Sequence, residues 1–83
     1  MIWITKAKYL KDYQIEIKFN NGERMCVDLK NHLKEGIFKE LKDLKLFSTV
    51  KLNSDLDTIA WDNGADLAPE FLYQLGKKQN RAA

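Results

Sequence analysis

The stretch Trp61-Asp62-Asn63-Gly64-Ala65-Asp66-Leu67-Ala68-Pro69-Glu70-Phe71-Leu72-Tyr73 packs four parts into one short run: a strand end, an Asn-Gly turn, an acidic hinge and a proline-started helix. Pro69 fits the first position of a helix, where its missing N–H costs nothing. Glu70 in the first turn and Lys77-Lys78 at the far end suit the helix dipole. Phe71, Leu72 and Leu75 form an inward stripe, and Gly76 reads as the C-terminal stop. Beyond it, residues 77–83 hold no apolar residue except two alanines, so the expectation is a 1–76 domain followed by a disordered basic tail.

Upstream, residues 2–10 are rich in β-formers and read as a first strand, and Lys11-Asp12 as a tight turn. Residues 13–19 alternate cleanly. Tyr13, Ile15, Ile17 and Phe19 point one way and Gln14, Glu16 and Lys18 the other. Residues 23–29 repeat the pattern with Met25, Val27 and Leu29 inward. Parity then selects the turn between them. A two-residue loop at Asn21-Gly22 would put the two apolar rows on opposite faces. A three-residue loop, Asn20-Asn21-Gly22, pairs Ile17 with Met25, Ile15 with Val27 and Tyr13 with Leu29 on one face. The expected connection is a type I turn followed by Gly22 in the left-handed region as a bulge.

From residue 30 the period changes. Leu33, Ile37, Phe38, Leu41, Leu44 and Phe47 recur at three- and four-residue steps, interrupted by Gly36. This predicts a short helical turn near 30–35 and a helix near 37–43 that ends by Leu44. A strand near 48–53 follows, with Val50 and Leu52 inward. Then come a polar turn, Asn53-Ser54-Asp55, and a last strand near 57–62 that carries Ile59 and Trp61 on one face. The expected fold class is α+β: an antiparallel sheet of about five strands in β-β-β-α-β-β-α order, with one face covered by the two short helices.

Eighty-three residues make one domain. No apolar run approaches the ~20 residues that span a bilayer, so no membrane association is expected. Met1 leads directly into Ile2-Trp3-Ile4 without the parts of a secretory signal, and the expected location is cytoplasmic. Cys26 is the single cysteine, which excludes an internal disulfide and suits a reducing compartment. The formal net charge is +2, but Lys77, Lys78 and Arg81 account for it; without them 11 basic residues face 12 acidic ones. The folded part is therefore near neutral, and its lysines are interleaved with acids as on a solvated surface.

The order of parts resembles the small bacterial domains grouped as domain-of-unknown-function family 2442. The resemblance rests on Phe19-x-x-Gly22-Glu23 with Asp28-Leu29, on Leu41-x-Asp43-x-x-x-Phe47-x-x-Val50, and on Ile59-x-Trp61-x-Asn63-Gly64-x-Asp66-Leu67-x-Pro69-Glu70-x-Leu72-Tyr73. It covers about residues 3–75. It implies antiparallel strands with short helices and brings no activity or catalytic residues with it. Some relatives carry a helix-turn-helix DNA-binding domain after this one. Others are encoded beside another small uncharacterised protein, an arrangement similar to toxin–antitoxin pairs.

Among chemistry-bearing residues, His32 is the single histidine, so zinc spacings are absent. A Cys26–His32 dyad would lack a third group to orient the imidazole. Asp55, Asp57, Asp62 and Asp66 form an acidic cluster whose spacing does not fit a calcium loop; turn and cap chemistry accounts for it better. Asp66, three residues before Pro69, is placed to accept from N–H groups at the turn or the helix start. Gly22, Trp61, Asn63, Gly64, Asp66 and Pro69 read as the structural motif, with Trp61 in the core. No catalytic, cofactor-binding or metal-binding residue is expected, nor any cofactor. Trp3 lies opposite Ile2 and Ile4 on a strand that is apolar on both sides, and an aromatic on a sheet face can anchor an interface. With the adjacent Lys6 and Lys8 it is the candidate interaction surface. The expected function is a non-catalytic protein-interaction or regulatory module, the antitoxin-like half of a two-protein unit by resemblance; a homodimer is compatible with this. The alternative is nucleic-acid binding through the basic tail with Lys6 and Lys8. A base-stacking face would need basic residues that repeat across strands, and Glu16 and Asp28 oppose it.

Overall fold

The computed structural model of the chain describes residues 1–80. Strands β1 (Ile4–Lys11), β2 (Gln14–Phe19) and β3 (Arg24–Asp28) form one antiparallel sheet in that order. A single 3-10 turn at Lys30–His32 and a seven-residue 3-10 segment at Gly36–Lys42 lead into the short helix α1 (Leu44–Phe47). Strands β4 (Lys51–Asn53) and β5 (Thr58–Ala60) pair as a second hairpin, and helix α2 (Pro69–Gln79) follows. The two apolar rows share one face: Ile17 pairs with Met25 and Ile15 with Val27, and the Leu29 N–H reaches the Tyr13 carbonyl at 2.9 Å. Gly22 sits at φ +90°, its N–H 3.0 Å from the Phe19 carbonyl, in the left-handed region that a bulge of this kind requires.

The fold is α+β with antiparallel pairing, but its five strands make two sheets rather than one. Strand β1 shifts register between Ile4 and Lys6 and again between Tyr9 and Lys11. Such bulges bend a strand and interrupt its ladder. The second hairpin accordingly packs beside β1, with one backbone bond, Ile4 N–H to the Asp57 carbonyl at 2.9 Å, instead of extending the sheet. The expected helix over 37–43 is 3-10 in geometry, and the expected stop by Leu44 is where α1 starts. There Asp43 accepts the Lys45 N–H at 3.0 Å and caps it. Leu52, expected inward, is 37 % exposed. The last strand is shorter than 57–62, although Ile59 and Trp61 are both buried as expected.

Helix α2 begins at Pro69, as the sequence indicates, but does not stop at Gly76. Gly76 is buried against β3, where an added Cβ would lie 2.6 Å from the Met25 sulfur and 3.3 Å from a Val27 methyl. It is a close-approach residue rather than a terminator. Lys77, Lys78 and Gln79 continue the helix, so the expected disorder from 77 onward is corrected for residues 77–80. Arg81 and the two alanines lie outside the described residues.

The core is held at Phe47. Its ring meets Tyr9 (6.0 Å between centroids), Tyr13 (5.2 Å) and Trp61 (5.7 Å), and its carbonyl accepts the Trp61 indole N–H at 3.0 Å. The Tyr13 hydroxyl donates to the Lys42 carbonyl at 2.6 Å. These contacts tie the first sheet, α1 and the second hairpin together. Two outcomes follow in thermal melts. Trp61→Phe keeps an aromatic ring but removes the indole donor to the Phe47 carbonyl, which retains the Val50 N–H at 3.2 Å, and is expected to cost about 0.5–1.5 kcal/mol. Gly22→Val forces a β-branched residue to positive φ and is expected to cost about 1–3 kcal/mol; a melt like the parent's would refute the turn assignment.

Candidate interaction face

One face of the three-stranded sheet is filled by core packing. Ile4, Ile15, Ile17, Phe19, Met25 and Val27 point into it, and α2 covers them through Leu72 and through Tyr73, whose ring stands 5.2 Å from that of Phe19. Alternation sends the other side chains to the opposite face. The register sets Lys6 beside Lys18 and Lys18 beside Arg24, so three cations form a row across all three strands, spanning about 10 Å at the usual strand spacing. Lys8 lies opposite Glu16 in the next outward row, and Cys26 stands beside Glu16 on β3. Leu52 of β4 closes one side, making a shallow groove of about 410 Å³ lined by Lys6, Lys8, Lys18 and Arg24, with Glu16 as the one carboxylate in it. Among the described residues, the ion pairs are Lys51–Asp62 at 3.2 Å and Lys77–Glu23 at 2.7 Å, and neither uses a cation of this groove.

Trp3 precedes β1 and is 41 % exposed. Its N–H donates to the Asn20 side-chain oxygen at 2.9 Å, and the Asn20 N–H donates to its carbonyl at 2.9 Å. Asn20 follows Lys18 by two residues, so alternation sets Trp3 at the end of the same face. The sequence brought Trp3, Lys6 and Lys8 together as the candidate surface. It did not place Lys18 and Arg24 with them, because register alone makes that row. The reading of β1 as apolar on both sides is corrected for its middle, where the outward residues are Lys6 and Lys8; Trp3 just before the strand and Leu10 near its end are the exposed apolar residues.

The other singled-out residues are structural. Asn63 accepts the Ala65 N–H at 3.0 Å and donates to Glu40 at 2.9 Å, which pins the Asn63-Gly64 turn to the Gly36–Lys42 segment. Asp66 forms an isolated backbone bridge with Ala60, and no described residue donates to its carboxylate; Ala68 precedes α2 without a side-chain cap. The expected capping role of Asp66 is therefore replaced by a backbone one. His32 is exposed, edge-on to Phe71 at 5.5 Å. Partial burial, then the Asp28 and Glu16 carboxylates, push the Cys26 thiol up, which keeps it protonated. A larger open hollow of about 750 Å³ lies between His32 and the outer side of α2, lined by Phe71, Leu75, Lys77 and Lys78 without a carboxylate. Among the described residues no three His, Cys, Asp or Glu side chains could hold a metal ion, and no helix is long and apolar enough to cross a membrane.

The architecture is that of a small α+β domain built from two packed antiparallel units with one uncovered sheet face. The chain belongs to the family described as Protein of unknown function (DUF2442), whose model matches residues 4–78. No curated protein matches it. The crystal structure of a "Putative DNA Binding Protein" from Nitrosomonas europaea has the same fold, with a TM-score of 0.83 at 21 % identity over 95 % of this chain. The match takes in 51 % of that protein, so this chain spans about half its length.

The basic tail is partly committed elsewhere. Lys77 holds Glu23, and this bond, followed by the Tyr73 hydroxyl, keeps the Glu23 carboxyl below the usual glutamate range, while Glu23 in turn raises Lys77. A depressed carboxyl contributes stability above its unfolded pKa and loses it as pH falls through the folded one. A raised lysine contributes below its unfolded pKa and loses it as pH rises through the folded one. NMR titration of the side-chain carboxyls should find Glu23 low in the parent and moved up toward the ordinary value in Lys77→Ala, where the Tyr73 hydroxyl remains. An unmoved Glu23 in that variant would show that the ion pair is not the cause.

Proposed function

We propose that this domain is a non-catalytic protein-interaction module that takes its partner on the open face of the three-stranded sheet. In this reading it is the regulatory, antitoxin-like half of a two-protein unit. The observation that supports it is the joint placement, on the face that no described helix covers, of the exposed Trp3 and four cations that form no ion pair among the described residues. An indole fills a partner's pocket with large area at small entropy cost, and interface energy concentrates in such anchors. The cations around it steer and orient an acidic surface.

A second reading, nucleic-acid binding, is favoured by the Lys6–Lys18–Arg24 row. Basic residues that repeat across strands beside an exposed aromatic are what a stacking platform for single strands requires. The Nitrosomonas europaea structure, named for DNA binding, shares the fold and is consistent with it. This moves the nucleic-acid reading from the tail to the sheet.

The test is capture of ligands from the host lysate by the full-length protein at moderate and high salt, repeated with Trp3→Ala and with Lys18→Glu/Arg24→Glu. A single stoichiometric protein retained at high salt supports the first reading. Its affinity should fall about 10- to 100-fold in Trp3→Ala, the range of a hot-spot truncation. Nucleic acid retained only at moderate salt and lost in the double charge reversal supports the second, since phosphate contacts weaken steeply with salt. Folded variants that keep every ligand at parental affinity would sink both.

A further inference from the structure

Strand β3 is an outer strand of its sheet. The Phe19 N–H bonds the Glu23 carbonyl and the Leu29 N–H bonds the Tyr13 carbonyl, with Met25 and Val27 in register between them. In an antiparallel ladder the intervening residues then turn their backbone groups outward. The N–H and C=O groups of Arg24, Cys26 and Asp28 therefore point at the free edge, a template for another strand.

The end of α2 covers part of this edge with side chains. The Gln79 amide oxygen accepts the Asp28 N–H at 2.8 Å, and its nitrogen donates to the Asp28 carbonyl at 2.9 Å. The Asn80 amide donates to the Cys26 carbonyl at 3.0 Å. Gln79 thus makes the paired donor and acceptor contacts that the peptide group of a neighbouring strand would make.

The edge is also complementary to itself. Two β3 strands paired antiparallel about Cys26 set Arg24 of each copy opposite Asp28 of the other, with the backbone groups of all three positions facing across. Arg24, Cys26 and Asp28 share the outer, uncovered face, so both Arg–Asp pairs form without entering the core. Opposite charges directly across an antiparallel pair are favourable, and a two-fold axis makes each contact twice. We propose that the β3 edge is a pairing surface for a second copy of this chain, held closed by the Gln79 and Asn80 amides. Opening it requires that Gln79 and Asn80 leave the edge as the extreme end of α2 frays, the part of a helix least firmly held.

The test is the monomer–dimer equilibrium of the full chain by sedimentation, with circular dichroism and thermal melts to confirm folding. Gln79→Ala/Asn80→Ala should tighten dimerisation at least about tenfold relative to the parent, through loss of three competing hydrogen bonds. Adding Arg24→Asp to that variant should abolish the dimer, and adding Asp28→Arg as well should restore it. Should the double alanine variant fail to fold, Gln79→Glu, which removes only the donor to Asp28, is read the same way. A folded variant that stays monomeric, a parent that dimerises equally well, or a dimer indifferent to the charge reversal would each overturn the proposal.

Discussion

The carbonyl of Phe47 and the indole N–H of Trp61 make the bond on which the rest of this domain depends. The second hairpin has no helix of its own to cover it, and an isolated two-stranded hairpin is marginal by itself. The Phe47 ring fills the space between it and the first sheet, touching Tyr9 and Tyr13 on one side and Trp61 on the other. The bond adds direction to that packing. A buried indole N–H must find an acceptor, and only one placement of the second hairpin supplies this one. Aromatic area holds the two units together, and a single polar contact sets the angle at which they meet.

That arrangement leaves the candidate face as a remainder. Core packing, α1 and α2 lie against the inner side of the three-stranded sheet, and the second hairpin packs beside β1, so the outer side stays open. The bulges in β1 contribute as well. By turning the second hairpin out of the sheet, they leave Leu52 beside Lys6 and Lys8 as a groove wall instead of burying it in a continuous sheet. The polar surface in the groove is thus positioned by the same packing that stabilises the fold, on strands whose register does not depend on any ligand.

The far end of α2 shows how closely surface chemistry and topology are joined here. Gly76 lets the helix approach Met25 and Val27, and this brings the helix end level with the β3 edge. A larger residue would lift the last turn away from it. Lys77, which reads in sequence as part of a loose basic tail, is drawn by the same approach onto Glu23 in the β2–β3 turn. One of the three cations behind the nominal charge excess is therefore built into the fold and unavailable to a distant partner.

What the sequence determined by itself is local. The three-residue loop with Gly22 as its bulge, the in-out pattern of β2 and β3, the start of α2 at Pro69 and the burial of Trp61 were all legible, because alternation, turn chemistry and helix entry depend on residues a few positions apart. The candidate surface was half legible: Trp3, Lys6 and Lys8 are near neighbours in the chain, whereas Lys18 and Arg24 join them only through strand register. The tertiary structure alone decided that the five strands divide into two sheets, that Gly76 is a contact rather than a stop, that Gln79 and Asn80 guard an edge, and that Asp66 acts through its backbone. Each of these is settled by which distant segments meet. No local propensity encodes the space beside Met25 or the open backbone groups of β3, and those contacts overrode the local signals that pointed elsewhere.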